Sequence, residues 1–96
     1  MKIGIIGAGK VGCSIGKYLT EHGFSVAGYC SKSKKSVEEA ATFTNTKAYD
    51  SLAELVAEST ILFLTTPDGA LESVWNELKK ESIQNKIVCH FSGSLS

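Results

Sequence analysis

Lys2-Ile3-Gly4-Ile5-Ile6-Gly7-Ala8-Gly9-Lys10-Val11-Gly12 opens the chain, and a change of pattern within it decides the fold. Ile3, Ile5 and Ile6 form a short apolar run closed by Gly7, as in a strand buried on both faces. From Lys10 to His22 the period becomes helical, with Val11, Ile15, Tyr18 and Leu19 at i, i+4, i+7 and i+8. Gly23 ends that helix at a C′ position. Between strand and helix, Gly7-Ala8-Gly9-Lys10-Val11-Gly12 matches G-x-G-x-x-G, weak evidence alone but strong in this context. Gly7 permits the sharp turn, Gly9 lets a pyrophosphate approach the backbone, and Gly12 lets helix and strand pack closely. Gly16, one turn on, extends that close contact. The unpaired N–H groups and positive dipole end of the helix then face phosphate. A glycine-rich turn that keeps the fold without a ligand is the competing reading.

Outward from this unit the alternation continues. Ser25 to Tyr29 reads as a second strand, and a polar stretch through Lys35 leads to a helix with Ser36 and Glu39 as a capping box. Val37, Ala40, Ala41 and Thr44 give it a small-residue face. Lys47 to Tyr49 is a short third strand; Ser51 and Glu54 open a helix whose apolar side is Leu52, Leu55 and Val56. Ile61 to Leu64 is the fourth strand. Thr66-Pro67-Asp68 starts a helix with a buried stripe of Leu71, Val74, Trp75 and Leu78, and Ile87 to Phe91 is the fifth strand. Five strands alternating with helices over short connections predict an α/β fold, a doubly wound parallel sheet in the order 3-2-1-4-5. Residues 1–96 read as one dinucleotide-binding domain, truncated where a further unit would complete it.

Composition narrows the class. Ten lysines and no arginine balance ten acidic residues, so nothing electrostatic points to nucleic acid or an anionic membrane. No apolar run approaches a membrane span and the N-terminus is not a signal peptide, which leaves a cytoplasmic location. Cys13, Cys30 and Cys89 are odd in number and lack a CxxC, so neither a disulfide framework nor a metal site is indicated, and they read as small apolar residues.

A carboxylate about 20 residues beyond the glycine motif marks NAD sites, but Gly28 through Val37 contains none. The second strand instead runs into Ser31-Lys32-Ser33-Lys34-Lys35, hydroxyls and ammonium groups suited to a ribose 2′-phosphate. NADP is therefore expected, with NAD possible; a solvated lysine loop is the alternative. At the switch point, Thr65 and Thr66 suit either cofactor contact or helix capping, beside Pro67. His90 and Ser92, at the end of the fifth strand, are the weak catalytic candidates: an acid or base and a group to hold a substrate oxygen. A strand-end histidine bonded to backbone explains His90 equally simply. His22 suits a helix C-terminus.

With Thr65-Thr66-Pro67-Asp68 and His90-Phe91-Ser92-Gly93-Ser94, the opening segment resembles the N-terminal Rossmann-like NAD(P)-binding domain of a bacterial oxidoreductase family. Its members carry a helical C-terminal domain of unassigned function. They are similar to pyrroline-5-carboxylate reductases, deazaflavin-dependent NADP reductases and β-hydroxyacid dehydrogenases. The resemblance implies that Ala8 to Val11 contact the diphosphate, Ser31 to Ser33 the 2′-phosphate, and Thr65 to Pro67 the nicotinamide ribose. It also implies a substrate pocket and homodimer completed by the C-terminal domain, and a small-molecule substrate. No catalytic residue transfers, because the catalytic lysine of the hydroxyacid dehydrogenases would lie beyond Ser96. The expected function is the NADP(H)-binding domain of an oxidoreductase, inactive as an isolated fragment. The alternatives are a non-catalytic NAD(P) sensor or scaffold and a vestigial fold used only for association.

Overall fold

The computed structural model describes residues 2–7, 9–31, 34–65, 76–80 and 86–90. In chain order these form β1 (Ile3–Ile6), α1 (Lys10–Glu21), β2 (Val26–Cys30), α2 (Lys34–Thr44), β3 (Lys47–Ala48), α3 (Leu52–Glu58), β4 (Ile61–Leu64) and β5 (Ile87–His90). The described strands make one sheet in the order β3-β2-β1-β4-β5, every pairing parallel, as the alternating pattern predicts. β1 lies at its centre, Ile5 beside Tyr29 on one flank and Phe63 on the other.

The two-residue period of a strand sends neighbouring side chains to opposite faces, and the interior divides accordingly. Ile3, Ile5 and Tyr29 pack with Leu19, Val37 and Ala40, under α1 and α2. Ile6, Cys30, Leu62 and Leu64 pack with Leu55 and Val56 of α3 and with Leu78. Leu78 is fully buried, as its place in the predicted stripe requires. Leu71, Val74 and Trp75 of the same predicted stripe lie outside the described residues.

Three details depart from the sequence reading. α1 buries Gly12, Gly16 and Leu19, while Val11 and Tyr18 are exposed. The two glycines let the helix settle on the sheet by the side without side chains, which turns the outer part of the predicted stripe toward solvent. α2 begins at Lys34, so Ser36 lies inside the helix and does not cap it; the buried face is Val37, Ala40, Ala41 and Thr44 as expected. Ser51 does stand at the N-cap of α3, yet its hydroxyl makes no capping bond.

α1 ends as predicted. His22 is the C-cap, and Gly23 follows at φ +84°. Phe24 N–H donates to Leu19 O at 2.9 Å and Gly23 N–H to Thr20 O at 3.2 Å, the paired bonds of a Schellman motif. The His22 ring stacks on Tyr18, with Nδ1 2.8 Å from Tyr18 O.

Candidate nucleotide-binding site

The sheet order reverses between β1 and β4, and the crevice above a parallel sheet opens at such a point. The turn from β1 into α1 lies on its edge. Gly7 has φ +107°, a conformation that L side chains rarely adopt, so the exit from β1 needs glycine for its backbone alone. Gly7 N–H donates to Cys30 O at 2.8 Å, tying the turn to the end of β2.

Gly12 is required for space. A Cβ there would run into the Gly7 carbonyl oxygen and stand 2.9 Å from Thr65 Oγ1. Gly16 is required for the same kind of reason, since its Cβ would overlap Tyr29 Oη.

Gly9 differs. Its φ of −79° and ψ of −168° suit any residue, and a Cβ there would meet no described atom within 4 Å. Neither the backbone nor the packing of the described residues demands glycine at this position. It stands exposed at the N-cap of α1, whose first turn, Lys10-Val11-Gly12-Cys13, carries no acidic side chain. The leading amides of a 12-residue helix and its positive dipole end therefore open beside bare backbone, a cradle that a Cβ would fill.

An open cleft of about 690 Å³ runs from this point between the two helices, lined by Gly9, by Lys10, Cys13 and Ser14 of α1, and by Ser36, Glu39 and Phe43 of α2. α2, too, lacks an acid in its first turn, and its exposed Lys34 reaches Asp50 at 3.8 Å. An exposed pair of that length contributes little to stability. Ser31 is half-buried just past β2. Burial pushes the thiols of Cys13 and Cys30 up, with Glu39 adding at Cys13 and Glu77 and Asp50 at Cys30. Both stay protonated near neutrality, which is not the state of a nucleophile.

Thr65 has a use the sequence reading did not foresee. It is buried, and its hydroxyl faces two turn carbonyls, Gly7 O at 3.0 Å and Ile6 O at 3.1 Å. Among the described residues its hydroxyl meets the turn alone. From the opposite flank Tyr29 Oη donates to Gly12 O at 2.8 Å. Tyr29 escaped the reading because an apolar strand conceals which residue sits under which helical turn. A second helix glycine one turn beyond the motif was the available signal. His90 is the last residue of β5, opposite Leu64. Ala8, Lys32, Ser33, Thr66, Pro67 and Ser92 lie outside the described residues.

This geometry defines a Rossmann-type α/β domain with a glycine turn at its sheet switch point, the framework of an NAD(P)-binding oxidoreductase domain. The chain belongs to the family described as NADP oxidoreductase, coenzyme F420-dependent, whose model matches residues 2–92. No curated protein sequence matches it. Among solved structures it is similar to a Bacteroides fragilis protein described as an NADP oxidoreductase, at 25% identity and TM-score 0.76, covering 97% of this chain and 36% of that one. It shares its fold with prephenate dehydrogenase from A. aeolicus, solved with hydroxyphenyl propionate and NAD+ (18% identity, TM-score 0.80, 96% of this chain and 33% of that one). It shares it also with a reductive aminase from Aspergillus terreus, solved with NADPH and ethyl-5-oxohexanoate (16% identity, TM-score 0.77, 95% and 31%). The chain thus spans about a third of the length of these structures. Among the described residues no helix is long and apolar enough to cross a membrane.

Proposed function

We propose that this chain is the NADP(H)-binding domain of an oxidoreductase acting on a small substrate. Gly9 carries the reading: it is the one motif glycine among Gly7, Gly9 and Gly12 whose identity neither backbone conformation nor the packing of the described residues explains. A ligand lying against the backbone there does explain it.

In this proposal Ala8, Gly9, Lys10, Val11 and Gly12 hold the diphosphate through backbone amides and the end of α1, and Gly7, whose N–H is taken by Cys30 O, shapes the turn beneath it. Ser31, Lys32 and Ser33 hold the 2′-phosphate. Lysines beside the N-terminus of α2 oppose its dipole by a few tenths of a kcal/mol, and a bound phosphate dianion reverses that sign. Thr66 and Pro67 meet the nicotinamide ribose together with the backbone of Thr65, whose hydroxyl serves the turn. When bound, the dinucleotide supplies hydride chemistry, and the protein's part is to orient it and exclude water. His90 and Ser92 are candidates to hold a substrate oxygen or move a proton. The substrate pocket and a homodimer would be completed by a further, helical domain. The family description supports NADP with a deazaflavin, so coenzyme F420 stands in the substrate panel beside imines, 2-oxoacids and aldehydes. Three free cysteines suit a cytoplasmic location.

Gly9→Ala is the direct test. It should leave stability within about 1 kcal/mol, since only a helix cap changes, yet weaken NADPH at least about tenfold in calorimetric titration. Unchanged affinity would remove the diphosphate assignment. Replacing Lys32, Lys34 and Lys35 together by alanine should lower NADPH affinity relative to NADH; an unaltered ratio would withdraw the NADP preference. Binding without oxidation of NADPH across the panel by the full-length protein would leave the sensor reading.

A further inference from the structure

We infer that the hydroxyls of Tyr29 and Thr65 are positioning groups for the dinucleotide, clamping the glycine turn from the two strands that flank β1. The inference rests on the function proposed above and adds to it two hydroxyl groups that would themselves touch no part of the ligand.

Two carbonyls of the motif are held from below. Thr65, directly after β4, directs its hydroxyl at Gly7 O (3.0 Å) and Ile6 O (3.1 Å). Tyr29, in β2, donates to Gly12 O at 2.8 Å. The backbone joins the same clamp: Thr65 N–H donates to Ile6 O at 2.9 Å and Gly7 N–H to Cys30 O at 2.8 Å.

The helix glycines are matched to these hydroxyls one to one. A Cβ on Gly12 would stand 2.9 Å from Thr65 Oγ1, and a Cβ on Gly16 would overlap Tyr29 Oη. The bare side of α1 is therefore filled by two hydroxyl groups at specific carbonyls, which simple close packing of helix on sheet would not require. Both are buried, so neither competes with water for its partner. Burial is the main cause that pushes the Tyr29 phenol up to about 12, so it remains a donor at every physiological pH.

The consequence for an anion is direct. Held at Gly7 O on one side and Gly12 O on the other, the peptide planes that flank the entry into α1 are fixed, so the unpaired leading amides of the helix keep one direction. Preorganised donors hold an anion better than donors that must first be ordered.

The test compares wild type with Tyr29→Phe, Thr65→Val and Thr65→Ser in calorimetric titrations with NADPH, ADP and 2′-AMP, the last lacking a diphosphate. Tyr29→Phe and Thr65→Val should each weaken NADPH and ADP about three- to tenfold, the worth of one buried hydrogen bond. Binding of 2′-AMP should stay within about twofold, and Thr65→Ser should restore diphosphate affinity. A general loosening of the fold would weaken all three ligands together, and that outcome overturns the inference, as does undiminished NADPH binding by the variants. Should Thr65→Val fail to fold, Tyr29→Phe, which keeps the ring, decides alone. A wild-type protein that binds none of the three removes the proposed function and this inference with it. Wild type and variants that bind NADPH equally remove this inference alone.

Discussion

Gly16→Ala should destabilise the protein even though it places the best helix former in mid-helix. In a solvated helix the change stabilises by about 1 kcal/mol. Here a Cβ would overlap Tyr29 Oη and stand 2.9 Å from its Cζ and 3.2 Å from Ile5 Cδ1. β2 is held between β1 and β3, so the tyrosine yields only by turning its ring within a fully buried site. Overpacking of this kind costs about 1–3 kcal/mol, and a hydroxyl driven from Gly12 O adds about 1 kcal/mol. Set against the gain in propensity, the net loss is about 1–3 kcal/mol. Each kcal/mol lowers the melting temperature of a domain this size by about 4–8 °C. Urea unfolding followed by circular dichroism should show a lower midpoint at unchanged slope. Tyr29→Phe deletes the overlapping atom, so Gly16→Ala should cost at least about 1 kcal/mol less in that background. A raised midpoint, or the same cost in both backgrounds, would show that α1 does not sit on Tyr29 as described.

Alkaline pH offers a second handle on the same phenol. Its folded pKa of about 12 stands above the unfolded value near 10, so the unfolded chain loses its proton first. Stability from this group is therefore whole below about pH 10 and declines toward pH 12, by up to about 1.4 kcal/mol per pH unit. Tyr29→Phe should flatten that decline in unfolding curves taken from pH 9 to 11; an identical slope refutes the assignment. Leu62→Ala empties a fully buried position on the α3 side of the sheet and should cost about 2–5 kcal/mol by urea unfolding. A loss under about 1 kcal/mol would mean that the site is not packed as described.

Local pattern along the chain is enough to read the fold down to the order of its strands. Short apolar runs such as 61–64 and 87–89, separated by helical periods, force parallel pairing over crossovers, and local chemistry suffices to read them. The positive φ of Gly7 and the close seat of Gly12 were likewise legible, because the motif's spacing follows from backbone sterics. Local pattern failed where the outcome depends on what lies across the interface. Val11 and Tyr18 look like core on a helical wheel, yet the glycine side of α1 goes down because β2 offers Tyr29 to fill it. Thr65 reads as a cap or a cofactor contact until its hydroxyl is found against Gly7 O, 58 residues away in the chain. Hydrogen bonds between distant residues and the rotation of a helix about its own axis are settled by which side chains meet in space. Periodicity along one segment carries no record of that, so how the turn is held emerges only when β1, β2 and β4 come together.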